Sequence, residues 1–287
     1  MSRIQLQYLF QDRNCGPDVK GAGCDCLALE VEGCRLYGTA LIPDGEYSAP
    51  RPCVAMFHGF PGFTRYDDLA QALCRVGCVT LMLHHRGAWG SEGKYLISHA
   101  IEDAVAIAEY IRGPEFSQKH NIDPEAVFLL GHSMGANTVI HAARTLPWLK
   151  GIMLLAPYDP IRQLENGQEK QLLKLLEDGE VMNCDGVEAL FQDLSEHREQ
   201  LGFENAAEYL KYQNVFCAVG KRDKNYPAEE MIMPLWRKLQ KLEGKGLRRL
   251  VEYSAGHGLM SCRCALAWDT ASFIADALKE KNRGGKA

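Results

Sequence analysis

No apolar run in the chain approaches the roughly 18 residues that a membrane-spanning helix needs. The first residues, MSRIQLQYLFQDRNCGPD, hold neither an unbroken apolar segment nor a small-residue cleavage pattern, so a cytoplasmic protein without a membrane partner is expected. There is no surplus of positive charge either: 32 Lys and Arg stand against 37 Asp and Glu, a formal net charge of -5. A basic surface that would attract nucleic acid is therefore not expected. Internal repeats and low-complexity tracts are missing, and only the tail NRGGKA reads as disordered. Cysteines number 11, an odd count, and none falls in a CxxC spacing, so reduced thiols are expected. Cys24 with Cys26 and Cys262 with Cys264 lack the two converging, properly spaced pairs of a structural zinc site, and no metal is expected.

What the chain does contain is a full set of short apolar runs alternating with amphipathic ones. At 287 residues and 46% hydrophobic content it is long enough for a large buried core. LALEVEGCRLYGTALIP, from Leu27, reads as two strands joined at Glu32-Gly33. CVAMFHG (53–59), VTLMLHHRG (79–87), AVFLLG (126–131), GIMLLAP (151–157), VFCAVG (215–220) and RRLVEY (248–253) read as further strands. Helical spacing occupies the stretches between them, as in YDDLAQALCRVG, ISHAIEDAVAIAEYIRG, SMGANTVIHAARTL, which Pro147 should stop, and AEEMIMPLWRKLQKL. Strands apolar on both faces imply a mostly parallel sheet of about eight strands covered by helices on each side, an α/β fold. Residues 159–212 break the alternation, with helical spacing in QEKQLLKLLED and VEALFQDLSEHREQL and no strand; thirteen acidic and five basic residues fall there. The expected organisation is a core of residues 1–158 and 213–287 with a helical cap inserted at 159–212.

Gly131-His132-Ser133-Met134-Gly135 closes an apolar strand and opens a helix. A short G-x-S-x-G is weak by itself, but this setting is that of a nucleophile elbow, where a tight turn thrusts the hydroxyl outward and the glycines let strand and helix pass closely. A serine hydroxyl needs a base, and the base needs a carboxylate to hold its tautomer. His257, in the glycine-flanked loop YSAGHGL after the last strand, is the expected base; His84, His85, His99, His120, His132, His141 and His197 have structural explanations or, for His84 and His85, a place near the site. Asp223 follows the strand VFCAVG at the same sheet rim and is the expected carboxylate, with Asp159 the alternative. The glycine-rich HGFPGF (58–63) offers an oxyanion hole, formed by the N–H groups of Phe60 and Met134. His58, His85, Trp89 and Tyr158 are candidates to line a substrate pocket.

Taken in order, HGFPGF, HHRGAWGSEGKY, GHSMG, GKRD and AGHG resemble the α/β-hydrolase superfamily, from about Cys26 to Glu280. Within it the chain is most similar to bacterial feruloyl or cinnamoyl esterases and to dipeptidyl-peptidase-like hydrolases, in which an insertion after the sixth core strand caps the pocket. Three departures stand out: Ala136 in place of a second glycine after the elbow, His85 in place of a tyrosine before Arg86, and KNYP after Asp223. The resemblance implies cofactor-free hydrolysis of a small-molecule carboxylic ester through an acyl-enzyme. An amide hydrolase of the aminopeptidase kind and a non-catalytic binding protein are the alternatives. Homodimerisation is open.

Overall fold

A computed structural model describes residues 3–47, 50–244 and 246–279; the tail NRGGKA lies outside the described residues. Eight strands form one sheet: β1 (Gly23–Val31), β2 (Cys34–Ile42), β3 (Arg51–Phe57), β4 (Val79–Leu83), β5 (Ile122–His132), β6 (Gly151–Leu155), β7 (Val215–Gly220) and β8 (Arg248–Tyr253). Their spatial order is β1-β2-β4-β3-β5-β6-β7-β8. β1 and β2 form the antiparallel hairpin, turning at Glu32 and Gly33, both at positive φ, and β2 lies antiparallel to β4. Every pairing from β4 to β8 is parallel.

The helices are α1 (Asp67–Arg75), α2 (Ile97–Arg112), α3 (Pro114–Lys119), α4 (Met134–Ala142), α5 (Pro160–Glu165), α6 (Glu169–Glu177), α7 (Val187–Glu196), α8 (Arg198–Leu201), α9 (Ala206–Leu210), α10 (Ala228–Met231), α11 (Met233–Lys241) and α12 (Arg263–Lys279). Alternate strand residues serve opposite layers of core. Val127 and Leu129 of β5 pack with α2, α4 and α11, whereas Phe128 and Leu130 pack with α1 and α12. Both faces are buried, which is why these strands read as unbroken apolar runs.

Several boundaries differ from the sequence reading. β5 begins at Ile122, and α3, a single short helix opened by Pro114, was not legible as a separate element. α4 ends at Ala142, before Pro147 can act. The run AEEMIMPLWRKLQKL breaks at Ile232, because Pro234 offers no N–H to continue α10 and instead serves the first turn of α11. VEALFQDLSEHREQL breaks at His197.

Between β6 and β7 the described chain holds only helical elements, α5 to α9. Leu172, Leu176, Leu190, Leu194 and Leu201 of this stretch form a third apolar cluster with Tyr95, Ile97, Met134 and Tyr158. Two buried carboxylates tie it down. Asp193 of α7 accepts hydrogen bonds from Ile97 N at 2.8 Å and Ser98 N at 3.0 Å, capping α2 from another helix. Asp159 accepts from Ile161 N, Arg162 N and Phe203 N at 3.0–3.1 Å. Among the described residues no helix is long and apolar enough to cross a membrane.

Candidate active site

Ser133 sits between β5 and α4 with φ 55° and ψ -118°, a backbone conformation that a side-chain-bearing residue rarely adopts. The flanking glycines are enforced by contact. A Cβ on Gly131 would lie 2.0 Å from Gly135 O, and one on Gly135 would lie 2.5 Å from both Phe57 O and His58 O. The elbow is therefore wedged between the end of β3 and its own helix.

His257 Nε2 lies 2.8 Å from Ser133 Oγ, and His257 Nδ1 lies 2.6 Å from Asp223 Oδ2. The partners set the tautomer: Nδ1–H donates to the carboxylate, and Nε2 accepts from the hydroxyl. Asp223 Oδ1 accepts Tyr226 N at 3.0 Å, fixing the carboxylate's rotation. The loops after β7 and β8 meet because Gly220 has no side chain; a Cβ there would stand 2.5 Å from Ala255 O. The Asp223 side chain is 5% exposed and that of His257 21%, so the carboxylate is shielded while the imidazole reaches solvent. Asp159, the alternative acid, is committed to three backbone amides, and burial raises its pKa to about 6.

The loop 58–63 runs against the serine, since a Cβ on Gly59 would be 3.1 Å from Ser133 Cβ. Neither Phe60 N–H nor Met134 N–H hydrogen-bonds to another described residue. The Phe60 ring points to the third apolar cluster, 5.7 Å from the Tyr95 ring.

The four pocket candidates separate. His85 is 1% exposed, enclosed by Phe57, His58 and Tyr95, with Nδ1 3.6 Å from the fully buried Asp103. Tyr158 is wholly buried, its hydroxyl donating to Gln163. Both belong to the interior instead of a solvent-reachable wall, because the strand-end positions they occupy are covered by neighbouring elements. His58 donates Nδ1–H to Gly59 O at 2.7 Å, and burial lowers its pKa to about 3, so it stays neutral inside the loop. Trp89 alone of the four is 40% exposed.

Two residues gain a place that their sequence positions did not announce. Tyr226 packs its ring 4.8 Å from that of His257 and 4.7 Å from that of Tyr158. His132 donates Nε2–H to His257 O at 3.1 Å; burial, then the neighbouring His257, lower its pKa to about 3. Tyr226 lies in KNYP, the segment that departs from the family pattern, and this is the one signal pointing to it.

Residues 48–178 match the family model described as serine aminopeptidase, S33. Monoglyceride lipase of Rattus norvegicus is 30% identical over 151 residues, 52% of this chain and 46% of that one, so the chain matches about half the length of this curated relative. Among solved structures, Est1E from Butyrivibrio proteoclasticus with ferulic acid bound superposes with a TM-score of 0.64 at 15% identity, covering 88% of this chain and all of that one. Brefeldin A esterase, a bacterial homologue of human hormone sensitive lipase, gives 0.65 at 18% identity over 94% and 81%. With its strand order, the serine on the turn after β5 and these superpositions, the chain has the α/β-hydrolase fold.

Proposed function

We propose that the chain is a serine hydrolase cleaving a small carboxylic ester. Ser133 Oγ attacks the carbonyl carbon while His257 Nε2 takes its proton; Asp223 holds the imidazole and stabilises its charged form. The carbonyl oxygen becomes an oxyanion received by the N–H groups of Phe60 and Met134, beside the positive end of α4. His257 then protonates the leaving alcohol, and water, activated by the same imidazole, releases the acid. The observation that carries this reading is the unbroken relay from Asp223 through His257 to Ser133, at 2.6 and 2.8 Å, with the serine on a strained elbow.

The helices from Pro160 to Leu210 serve as the cap of the acyl pocket, with Phe60 and Tyr95 on its core side. The esterases that superpose and the lipase relative favour an ester, and the ferulic acid bound to Est1E supports an aromatic acyl group; a short acyl group is the other form this reading takes. The amide alternative has its support in the family model, described as serine aminopeptidase; burial, then Asp223, then the exposed Asp178 raise the pKa of Tyr226 next to His257, so a second carboxylate lies close enough to Tyr226 to act on its charge. A panel of p-nitrophenyl esters and aminoacyl p-nitroanilides, run beside fluorophosphonate labelling, tests both. Ester turnover with labelling abolished in Ser133→Ala is the expected result. Preference for the anilides would replace the ester reading, and absence of labelling in the wild type would remove the catalytic one.

A further inference from the structure

The loop carrying Phe60 N–H bears two glycines around Pro61, and none of its backbone N–H groups from 59 to 63 hydrogen-bonds to the backbone of another described residue, yet an oxyanion donor is useful only if its direction is fixed before the charge develops. On its inner side the loop is anchored by the Phe60 ring, which lies against Tyr95 and against Gly179 of the cap segment, where a Cβ would be 2.8 Å from Phe60 Cζ. On its outer side stands Trp89. Its indole Nε1–H donates to Pro61 O at 3.1 Å, and its ring meets Phe63 edge to face at 5.8 Å. Gly62, at φ 103°, presses flat against the indole, so that a Cβ there would be 2.5 Å from Trp89 Nε1.

Trp89 occupies this place at a cost. Its φ is 51°, in the left-handed region, which a bulky residue rarely adopts. It is 40% exposed, so burial returns only part of what a core tryptophan gains. The segment presenting it is rigid. Arg86 donates Nε–H to the buried Asp103 at 2.6 Å, Ala88 N bonds His85 O at 3.0 Å, and Ser91 Oγ donates to His84 O at 3.0 Å while accepting Tyr37 N at 2.9 Å.

We propose that Trp89 is a positioning residue: its indole N–H fixes the Pro61–Gly62 peptide and thereby aims Phe60 N–H at the oxyanion. This rests on the reading of Phe60 N–H as an oxyanion donor. The hydrogen bond acts one residue from that donor, on the carbonyl of Pro61, and its loss leaves the loop held on one side only.

The test is Trp89→Phe, which keeps an aromatic ring and removes the N–H, with Gly62→Ala as a second variant that pushes the indole away. Backbone order parameters of residues 59, 60, 62 and 63, read by 15N relaxation, should fall in both, from about 0.85 to about 0.6 or below; the melting temperature should hold in Trp89→Phe and fall in Gly62→Ala, whose methyl at φ 103° also meets His58 Nδ1 at 2.8 Å. Against a short p-nitrophenyl ester, kcat should fall by roughly tenfold with KM held within about twofold, since small misplacements at a reacting centre act on the barrier. Affinity for phenylboronic acid, which forms a tetrahedral adduct on Ser133, should fall by the same factor as kcat. Unchanged order parameters in both variants overturn the brace whatever the activity. Lowered order parameters with unchanged kcat and boronate affinity show that the loop does not aim a donor and overturn the inference, as does a rise in KM alone, which makes Trp89 a substrate contact. A wild-type protein inert towards all esters fails the hydrolase reading, a result separate from the relaxation measurement.

Discussion

Lowering the pH from 8 to 5 should destabilise the protein through histidines that are buried without charge. His132 is 3% and His141 8% exposed, and burial lowers their pKa values to about 3 and about 4 from 6.5. His141 Nδ1 faces the Tyr209 hydroxyl at 3.1 Å, and its Nε2 has no partner among the described residues. In the unfolded chain each imidazole takes a proton below pH 6.5; in the folded chain it does not until near pH 3–4. The stability they contribute is therefore present above pH 6.5 and is lost as the pH falls. At pH 5 the unfolded state has gained about 1.5 pH units on each, or about 2 kcal/mol per histidine at about 1.36 kcal/mol per unit.

Asp159 acts in the opposite sense. Its folded pKa is raised to about 6 from 3.8, so the folded state binds its proton first and gains about 1.4 kcal/mol between pH 6 and 5. The net loss from the three groups is about 3 kcal/mol, a large share of a typical 5–15 kcal/mol. His58 and His84, lowered to about 3 and about 4 chiefly by burial, add to it in the same direction. Urea unfolding followed by circular dichroism at pH 8 and pH 5 reads the difference, and His141→Leu should shrink it by about 2 kcal/mol. Equal unfolding free energies at the two pH values, or a pH response untouched by His141→Leu, would refute the reasoning.

Asp223→Asn should keep the fold and lower kcat by roughly 10⁴-fold, because the amide favours the wrong imidazole tautomer; a steady-state assay against wild type checks it. Asp159→Ala should instead cost about 2–3 kcal/mol of stability by orphaning amides of Ile161, Arg162 and Phe203, read by urea unfolding. Asp193→Ala uncaps Ile97 and Ser98, so unfolding should fall by about 1–2 kcal/mol and limited proteolysis should accelerate between β6 and β7. Gly135→Ala drives a methyl to 2.5 Å from two carbonyl oxygens, and a loss of about 1–3 kcal/mol with a displaced serine is expected, measured by melting and by fluorophosphonate labelling rate.

Much of the architecture was legible because the physics behind it is local. Apolar runs such as AVFLLG and VFCAVG can sit only where both faces are covered, and Glu32-Gly33 can only turn. The sterics of the elbow were likewise readable, since Gly131 and Gly135 exclude contacts formed within five residues of each other or with the adjoining strand. Helix breaks at Ile232 and His197 were less so: a continuous apolar period hides a single residue that leaves the helical conformation.

The sequence by itself determined the sheet, the serine on its turn and the strand ends from which an acid and a base could come, because period, chain order and glycine placement are properties of short segments. Only the tertiary structure decided that His257 stands 2.8 Å from the hydroxyl with Asp223 behind it, that Asp159 is spent on backbone amides, and that His85 and Tyr158 are interior while Trp89 grips Pro61. Those outcomes depend on which loops meet across the sheet rim, and side chains 34 and 124 residues apart carry no local pattern that fixes their distance.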